Sequence, residues 1–152
     1  MDRETSNYWM QMALEEAHTA SQKMEVPVGA VMILDNKIIS RSHNKSISSS
    51  DPCAHAEINC IREAARKINN YRLNEAILFV TLEPCAMCLS AVVHARLKKV
   101  FFGAFDQKTG ACGSCIDLLN NKCFNHTPEI EGGLMKEECS KILKNFFISR
   151  RN

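Results

Sequence analysis

No stretch of this chain is apolar for long enough to cross a membrane or to form the core of a secretory signal, and the first residues, Met1-Asp2-Arg3-Glu4-Thr5-Ser6, are charged and polar. A soluble, cytoplasmic protein is therefore expected. No repeat, low-complexity tract or linker interrupts the 152 residues, so 1–152 are expected to form one domain, long enough to bury about two thirds of the surface its unfolded form exposes. Charge of one sign is also scarce. A net charge of +2 is too small to point to nucleic acid by itself. Cysteine, by contrast, is plentiful: eight of them without a secretory signal favour reduced thiols and metal ligands over a disulfide framework.

Hydrophobic periodicity organises the chain. Trp9, Met12, Ala13, Ala17 and Ala20 recur at helical spacing and predict an amphipathic helix over residues 7–22. The apolar run from Val26 to Leu34, the turn residues Asp35-Asn36 and the segment Lys37–Arg41 predict a hairpin. The serine-rich segment from Asn44 to Pro52 reads as a loop into a helix from about Ala54 to Ile68, with a turn at Tyr71–Glu75. A strand buried on both faces follows at Ala76–Thr81, then a helix at Cys85–Arg96 and a strand at Lys99–Gly103. Beyond Phe105 the chain reads as loop, with a single helical turn near Ile116–Leu119, a fifth strand near Glu129–Glu131 and a last amphipathic helix carrying Leu134, Cys139, Ile142, Leu143, Phe146 and Phe147. Helices alternating with strands imply parallel pairing in part of the sheet. The expected fold is α/β: a three-layer α/β/α sandwich on a mixed five-stranded sheet.

Two short motifs carry chemistry: His55-Ala56-Glu57 and Pro84-Cys85-Ala86-Met87-Cys88. One imidazole and two thiolates make a three-ligand zinc set that leaves the fourth tetrahedral position for water, and a carboxylate that is not a ligand sits two residues from the histidine. That combination points to hydrolysis. Zinc held by His55, Cys85 and Cys88 lowers the pKa of its bound water to about 7, and Glu57 is placed to move protons. Pro84 suits a first helical position, which would put both thiolates in the first turn, where the helix dipole favours them. If 55–68 is a helix and 76–81 an extended strand, each about 20 Å long, the chain goes out and returns, setting Cys85 beside His55.

The remaining cysteines allow another reading. Cys112 and Cys115 form a second C-x-x-C and, with Cys85 and Cys88, offer a non-catalytic four-cysteine zinc module. The gap between the pairs is long for such a site, and His55 and Glu57 would be unexplained. Cys53, Cys60, Cys123 and Cys139 are expected to be small interior side chains, as free cysteine usually is. Of the other histidines, only His126, beside Asn125, is singled out.

Tyr8-Trp9-Met10, Glu25–Val31, Asn44, Asp51-Pro52, His55-Ala56-Glu57, Thr81–Cys85, Asp106 with Lys108-Thr109-Gly110, Asn125-His126 and Phe146-Phe147 are spread along almost the whole length of the chain. In these residues the sequence resembles the cytidine-deaminase-like superfamily, and more closely the bacterial tRNA-specific adenosine deaminases of the TadA type. The resemblance implies one zinc ion per subunit and hydrolytic deamination of the wobble adenosine of a tRNA anticodon to inosine. Hydroxide would attack C6 of the flipped-out base while Glu57 carries a proton to ring N1 and helps ammonia leave. It also implies a base contact from Asn44, a pocket wall at Val26, rim contacts from Asp106 and Asn125, and a homodimer that grips the anticodon loop, with tRNA-Arg as the expected substrate. The backbone N–H of Ala56 or Cys85 is a candidate donor to the water-derived oxygen. Phe147, Arg150 and Arg151 complete the expected substrate contacts.

The segment from Lys141 to Asn152 holds Lys141, Lys144, Arg150 and Arg151 without an acid. It suits a phosphate grip and equally a solvated helix end whose dipole the cations complement. The second enzymatic reading is a free-base or nucleotide deaminase acting on guanine, cytosine or dCMP, which shares the zinc core. The Lys108-Thr109-Gly110 context and the Phe146-to-Arg151 ending favour the RNA substrate.

Overall fold

The computed structural model describes residues 1–151; Asn152, the last residue of the expected domain, lies outside them. Helix α1 (Arg3–Gln22) begins earlier than hydrophobic periodicity predicts, because Asp2 caps it: its Oδ1 accepts the Thr5 N–H at 2.8 Å. Strands β1 (Gly29–Leu34) and β2 (Lys37–His43) are joined through Asp35 and Asn36 at φ 51° and 59°, the left-handed pair a two-residue hairpin turn requires. The strand starts at Gly29 and not at Val26: Pro27 has no N–H to give a ladder, and the Val28 N–H folds back to Val26 O at 2.8 Å. Gly29 lies so close under α1 that a Cβ would collide with the Ala13 carbonyl.

Helix α2 (Ala56–Ile68) ends at Asn69, which adopts the left-handed conformation (φ 56°, ψ 44°). Strand β3 (Ile77–Leu82), helix α3 (Ala86–His94) and strand β4 (Lys99–Ala104) follow, then a short 3-10 turn (Leu118–Asn120), strand β5 (Glu129–Gly132) and helix α4 (Lys136–Arg151). The strand order is β2-β1-β3-β4-β5. β1 runs antiparallel to both its neighbours, and β3, β4 and β5 are parallel. The mixed five-stranded sheet is thus as expected.

Both faces of this sheet are covered, and alternation decides which residue faces which layer. Ala30, Met32, Leu78, Val80, Val100 and Phe102 point to one core with Ala56, Cys60 and Ala64 of α2 and Leu89 and Val92 of α3. Val31, Ile33, Phe79 and Phe101 point to the other, with Trp9, Met10, Ala13 and Ala17 of α1 and Cys139 and Ile142 of α4. Phe79 and Phe101 stack at 4.7 Å between centroids. Each such fully buried aliphatic or aromatic side chain contributes about 1.5–3 kcal/mol from removal of apolar surface. Among the described residues, no helix is long and apolar enough to cross a membrane.

The topology concentrates chain reversals at one edge. The start of β1 lies against the ends of β2 and β3, with Gly29 opposite His43 and Ala30 opposite Val80. The ends of β3 and β4 are adjacent, Leu82 pairing with Ala104. Segments 24–28, 44–55, 83–85 and 105–117 therefore meet outside the carboxyl ends of the parallel strands, where open α/β sheets place ligands.

Candidate active site

Two helix N-termini face each other at that edge. His55 is the residue before α2, in extended conformation (φ −70°, ψ 156°), and Cys85 holds the same place before α3 (φ −76°, ψ 176°). Pro84 therefore precedes the cap instead of opening the helix, which corrects the sequence expectation. Cys88 still falls in the first turn. His55 Nδ1 lies 3.7 Å from Cys85 Sγ and 3.5 Å from Cys88 Sγ, and all three ligand atoms are within 4.8 Å of one another. The N···S edge of a tetrahedral zinc site is about 3.5 Å, given Zn–N near 2.0–2.1 Å and Zn–S near 2.3 Å. The three residues fit such an ion. Among the described residues they are the one group of this kind; Cys112 and Cys115 do not join it, which removes the four-cysteine reading.

The electrostatics suit a cation. Hydrogen bonding with Cys88 and with His55 holds the Cys85 thiol down at about 4, against burial, so it is a thiolate at neutral pH. Its hydrogen bond with Cys85, together with burial, pushes the Cys88 thiol far above the ordinary thiol range; a metal ion held there would require the thiolate form. The Cys85 hydrogen bond also raises the His55 imidazole, with burial opposing. Glu57, only 4% exposed, sits in the first turn of α2. Burial pushes its carboxyl up to about 7, and the Cys85 charge adds to that. A carboxyl that exchanges its proton near neutrality is what general acid–base work at pH 7 requires.

Asn44 lies next to this centre. Its Oδ1 accepts the Ala56 N–H at 2.8 Å, and its own N–H donates to Val28 O at 3.1 Å. The Ala56 amide is thus already engaged, which leaves Cys85 as the better of the two expected backbone donors. Val26 is half-buried against the α2–α3 core.

The outer residues are more dispersed. Asp106 turns its carboxylate onto its own loop: Oδ1 accepts from Lys108 N at 3.0 Å and Thr109 N at 3.1 Å, and Oδ2 from Thr109 Oγ1 at 2.8 Å. Asn125 is exposed and its Oδ1 accepts from Arg96 at 2.9 Å, while His126 is tied to the Leu97 carbonyl at 2.7 Å. Phe147 is 46% exposed, beside the buried Phe146. Arg150 folds back over the Phe146 ring and toward Met24 O. A 480 Å³ cavity at the surface brings Arg151 and Phe147 together with Lys108, Lys144, Leu143 and Ile148, joining the 105–110 loop to α4. Sequence reasoning did not foresee this meeting, since nothing in the spacing of Lys108 and Arg151 marks them as neighbours.

Of the four cysteines expected inside, Cys60 and Cys139 are buried. Cys53 and Cys123 are exposed, and this corrects the expectation: each sits in a loop turn, with its N–H accepted by Asp51 or Asn121, and has no core to enter. Two buried acids also escaped notice. Glu25 accepts from Ile47 N and Ser48 N at 3.1 and 2.7 Å, and Glu83 from three amides of the 106–114 segment. The usable signal was an acid at the mouth of an apolar run.

Such a fold around such a centre is a deaminase, and the MafB19-like deaminase family matches residues 4–151. A tRNA-specific adenosine deaminase of Haemophilus influenzae is 49% identical over 143 residues, covering 93% of this chain and 83% of its own. One of Bacillus subtilis is 45% identical over 139 residues, covering 91% and 86%. A solved structure from work on A-to-I editing by tRNA:A34 deaminases at the wobble position of transfer RNA superposes with a TM-score of 0.88 at 41% identity, covering 90% of this chain and 99% of that one. The chain belongs to the family of tRNA-specific adenosine deaminases.

Proposed function

We propose that this chain hydrolyses the exocyclic amine of the wobble adenosine in a tRNA anticodon, giving inosine and ammonia. The observation that carries the reading is the convergence of His55 Nδ1, Cys85 Sγ and Cys88 Sγ at tetrahedral-edge distances beside the buried Glu57. His55, Cys85 and Cys88 would hold one zinc ion per subunit. Bound there, zinc supplies the Lewis acid that lowers the pKa of water to about 7.

Glu57 takes a proton from the attacking water and delivers it to adenine N1 as the new bond forms at C6. It then passes the second proton to the departing amine as the C6–N bond breaks. The Cys85 N–H is the backbone donor toward the water-derived oxygen. Asn44, with Oδ1 committed to Ala56, presents its amide to the base, and Val26 forms a wall. Asp106 and Asn125 meet the flanking nucleotides on the rim, and Phe147 and Arg151 line a basic groove for phosphates that Arg150 supports. Residues 1–152 act as one cytoplasmic deaminase domain, paired as a homodimer around the anticodon loop of tRNA-Arg. The relatives named tRNA-specific adenosine deaminase support this substrate over free guanine, cytosine or dCMP.

The test is direct. Zinc-loaded protein incubated with a tRNA-Arg transcript bearing wobble adenosine should yield inosine at that position, and incubated with free bases or dCMP should release no ammonia.

A further inference from the structure

The residues that follow β3 do more than lead into Cys85 and Cys88. Glu83 is 2% exposed, and its carboxylate is surrounded by main-chain donors from one distant loop. Oε1 accepts the Asp106 N–H at 3.0 Å; Oε2 accepts Cys112 N–H at 2.9 Å and Ser114 N–H at 3.2 Å. The next residue continues the attachment, with Pro84 O accepting Ala111 N–H at 2.9 Å. A carboxylate is the one side chain that can accept all three amides without offering a competing donor, and its charge strengthens each bond.

Gly110 shows how closely the loop is drawn in. A Cβ there would strike the Glu83 carboxyl carbon and lie 2.6 Å from Oε2. The loop so held carries Asp106 and Lys108, and Lys108 lines the groove shared with Phe147 and Arg151. Cys85, a residue of the metal group, is two positions from Glu83 in the same connection.

We propose that Glu83 is a positioning residue: its buried carboxylate locks the 106–114 loop to the segment that bears Cys85 and Cys88, setting the substrate rim relative to the metal centre, with Gly110 leaving room for the lock. This rests on the tRNA reading for its substrate. The role is in binding geometry and not in chemistry, so it shows in KM. Replacing Glu83 by Gln puts an amide N–H₂ against main-chain N–H groups and releases part of the loop. A displacement near 1 Å in such an element costs on the order of tenfold to a hundredfold in productive encounter.

Two variants of the zinc-loaded protein, Glu83→Gln and Gly110→Ala, are compared with wild type by zinc content, by amide hydrogen exchange at Asp106, Cys112 and Ser114, and by kinetics on an anticodon stem-loop. Zinc content should be unchanged, exchange at the three amides should accelerate, and KM should rise about tenfold or more while kcat moves by less than about threefold. Gly110→Ala matters because it disturbs the lock with the carboxylate intact. Slow exchange with an unchanged KM in both variants overturns the proposal, as does loss of zinc and kcat at constant KM. If wild type leaves the stem-loop untouched, the substrate reading fails, and the exchange rates alone then decide whether the lock exists.

Discussion

Asn44 Oδ1 accepts the amide hydrogen of Ala56 at 2.8 Å, so the loop before the metal motif is fastened to the first turn of the helix that carries Glu57. The side chain thereby has one end with a structural duty, and the proposed base contact falls to the other, its amide N–H₂. Asn44→Asp keeps an acceptor for Ala56 and should retain wild-type stability, yet it loses the amide donor and with it deamination. Asn44→Ala loses both, and its Tm should fall by about 2–4 °C, the equivalent of roughly 1 kcal/mol for a cap of this kind. Thermal melts beside inosine assays separate the two; equal stability of both variants would contradict the capping role.

Burial raises the pKa of Glu57 to about 7, and the residue is not part of the three-residue metal group. Replacing it with Gln should leave the capacity to bind zinc unchanged and lower turnover by at least about 10²–10⁴-fold. A variant within a few-fold of wild type would remove the proton carrier from the reaction.

Glu25 gives stability a predictable pH dependence. Burial alone would raise its pKa, but the amides of Ser48 and Ile47 overcome this and hold it below the ordinary 4.5. A depressed folded-state pKa means the contribution is complete above the unfolded value and is lost as pH falls through the folded one. The Tm gap between wild type and Glu25→Gln should thus be full at pH 7 and narrow as pH drops below 4.5. A gap independent of pH from 7 to 3 would show that the carboxylate charge contributes nothing.

Much of this could be read from residue order. Each strand lies within about three residues of its apolar run, and the hairpin turn is dictated by Asp35 and Asn36. The metal group was legible because its residue types and order are rarely found together for other reasons. What escaped depends on contacts between distant segments. The true start of β1 follows from Gly29 lying against the backbone of α1, and the helix start at Arg3 from a single capping bond by Asp2. The attachments of Glu25 and Glu83 span more than twenty positions with no periodicity to announce them. Cys53 looks in sequence like any small interior residue. Its exposure comes from the turn that Asp51 makes one step before the histidine loop.

Thiol chemistry checks that placement. Cys53, Cys115 and Cys123 are exposed, whereas burial pushes Cys60 and Cys139 up to about 12. A thiol reagent at neutral pH should modify the first three in the zinc-loaded protein without releasing metal, and reach Cys60 and Cys139 only on unfolding. Release of zinc on modification of Cys53 would mean that it competes for the ion.

The basic groove predicts a graded salt response. Arg151 lines it with Lys108 and Lys144, while Arg150 is folded over Phe146. Arg151→Glu should reduce the slope of log affinity against log salt by about one for each lost phosphate contact, and Arg150→Glu by less. Equal slopes in wild type and both variants would leave α4 as a solvated helix end.

The proposed reaction couples the His55–Cys85–Cys88 centre to the wobble base. Its most direct test is to follow inosine formation at the wobble position of tRNA-Arg by wild type, by metal-stripped protein and by stripped protein given back zinc. The prediction is conversion by the first, none by the second and recovery by the third. Full activity in the stripped protein, or inosine that forms equally well with His55→Ala, would contradict it.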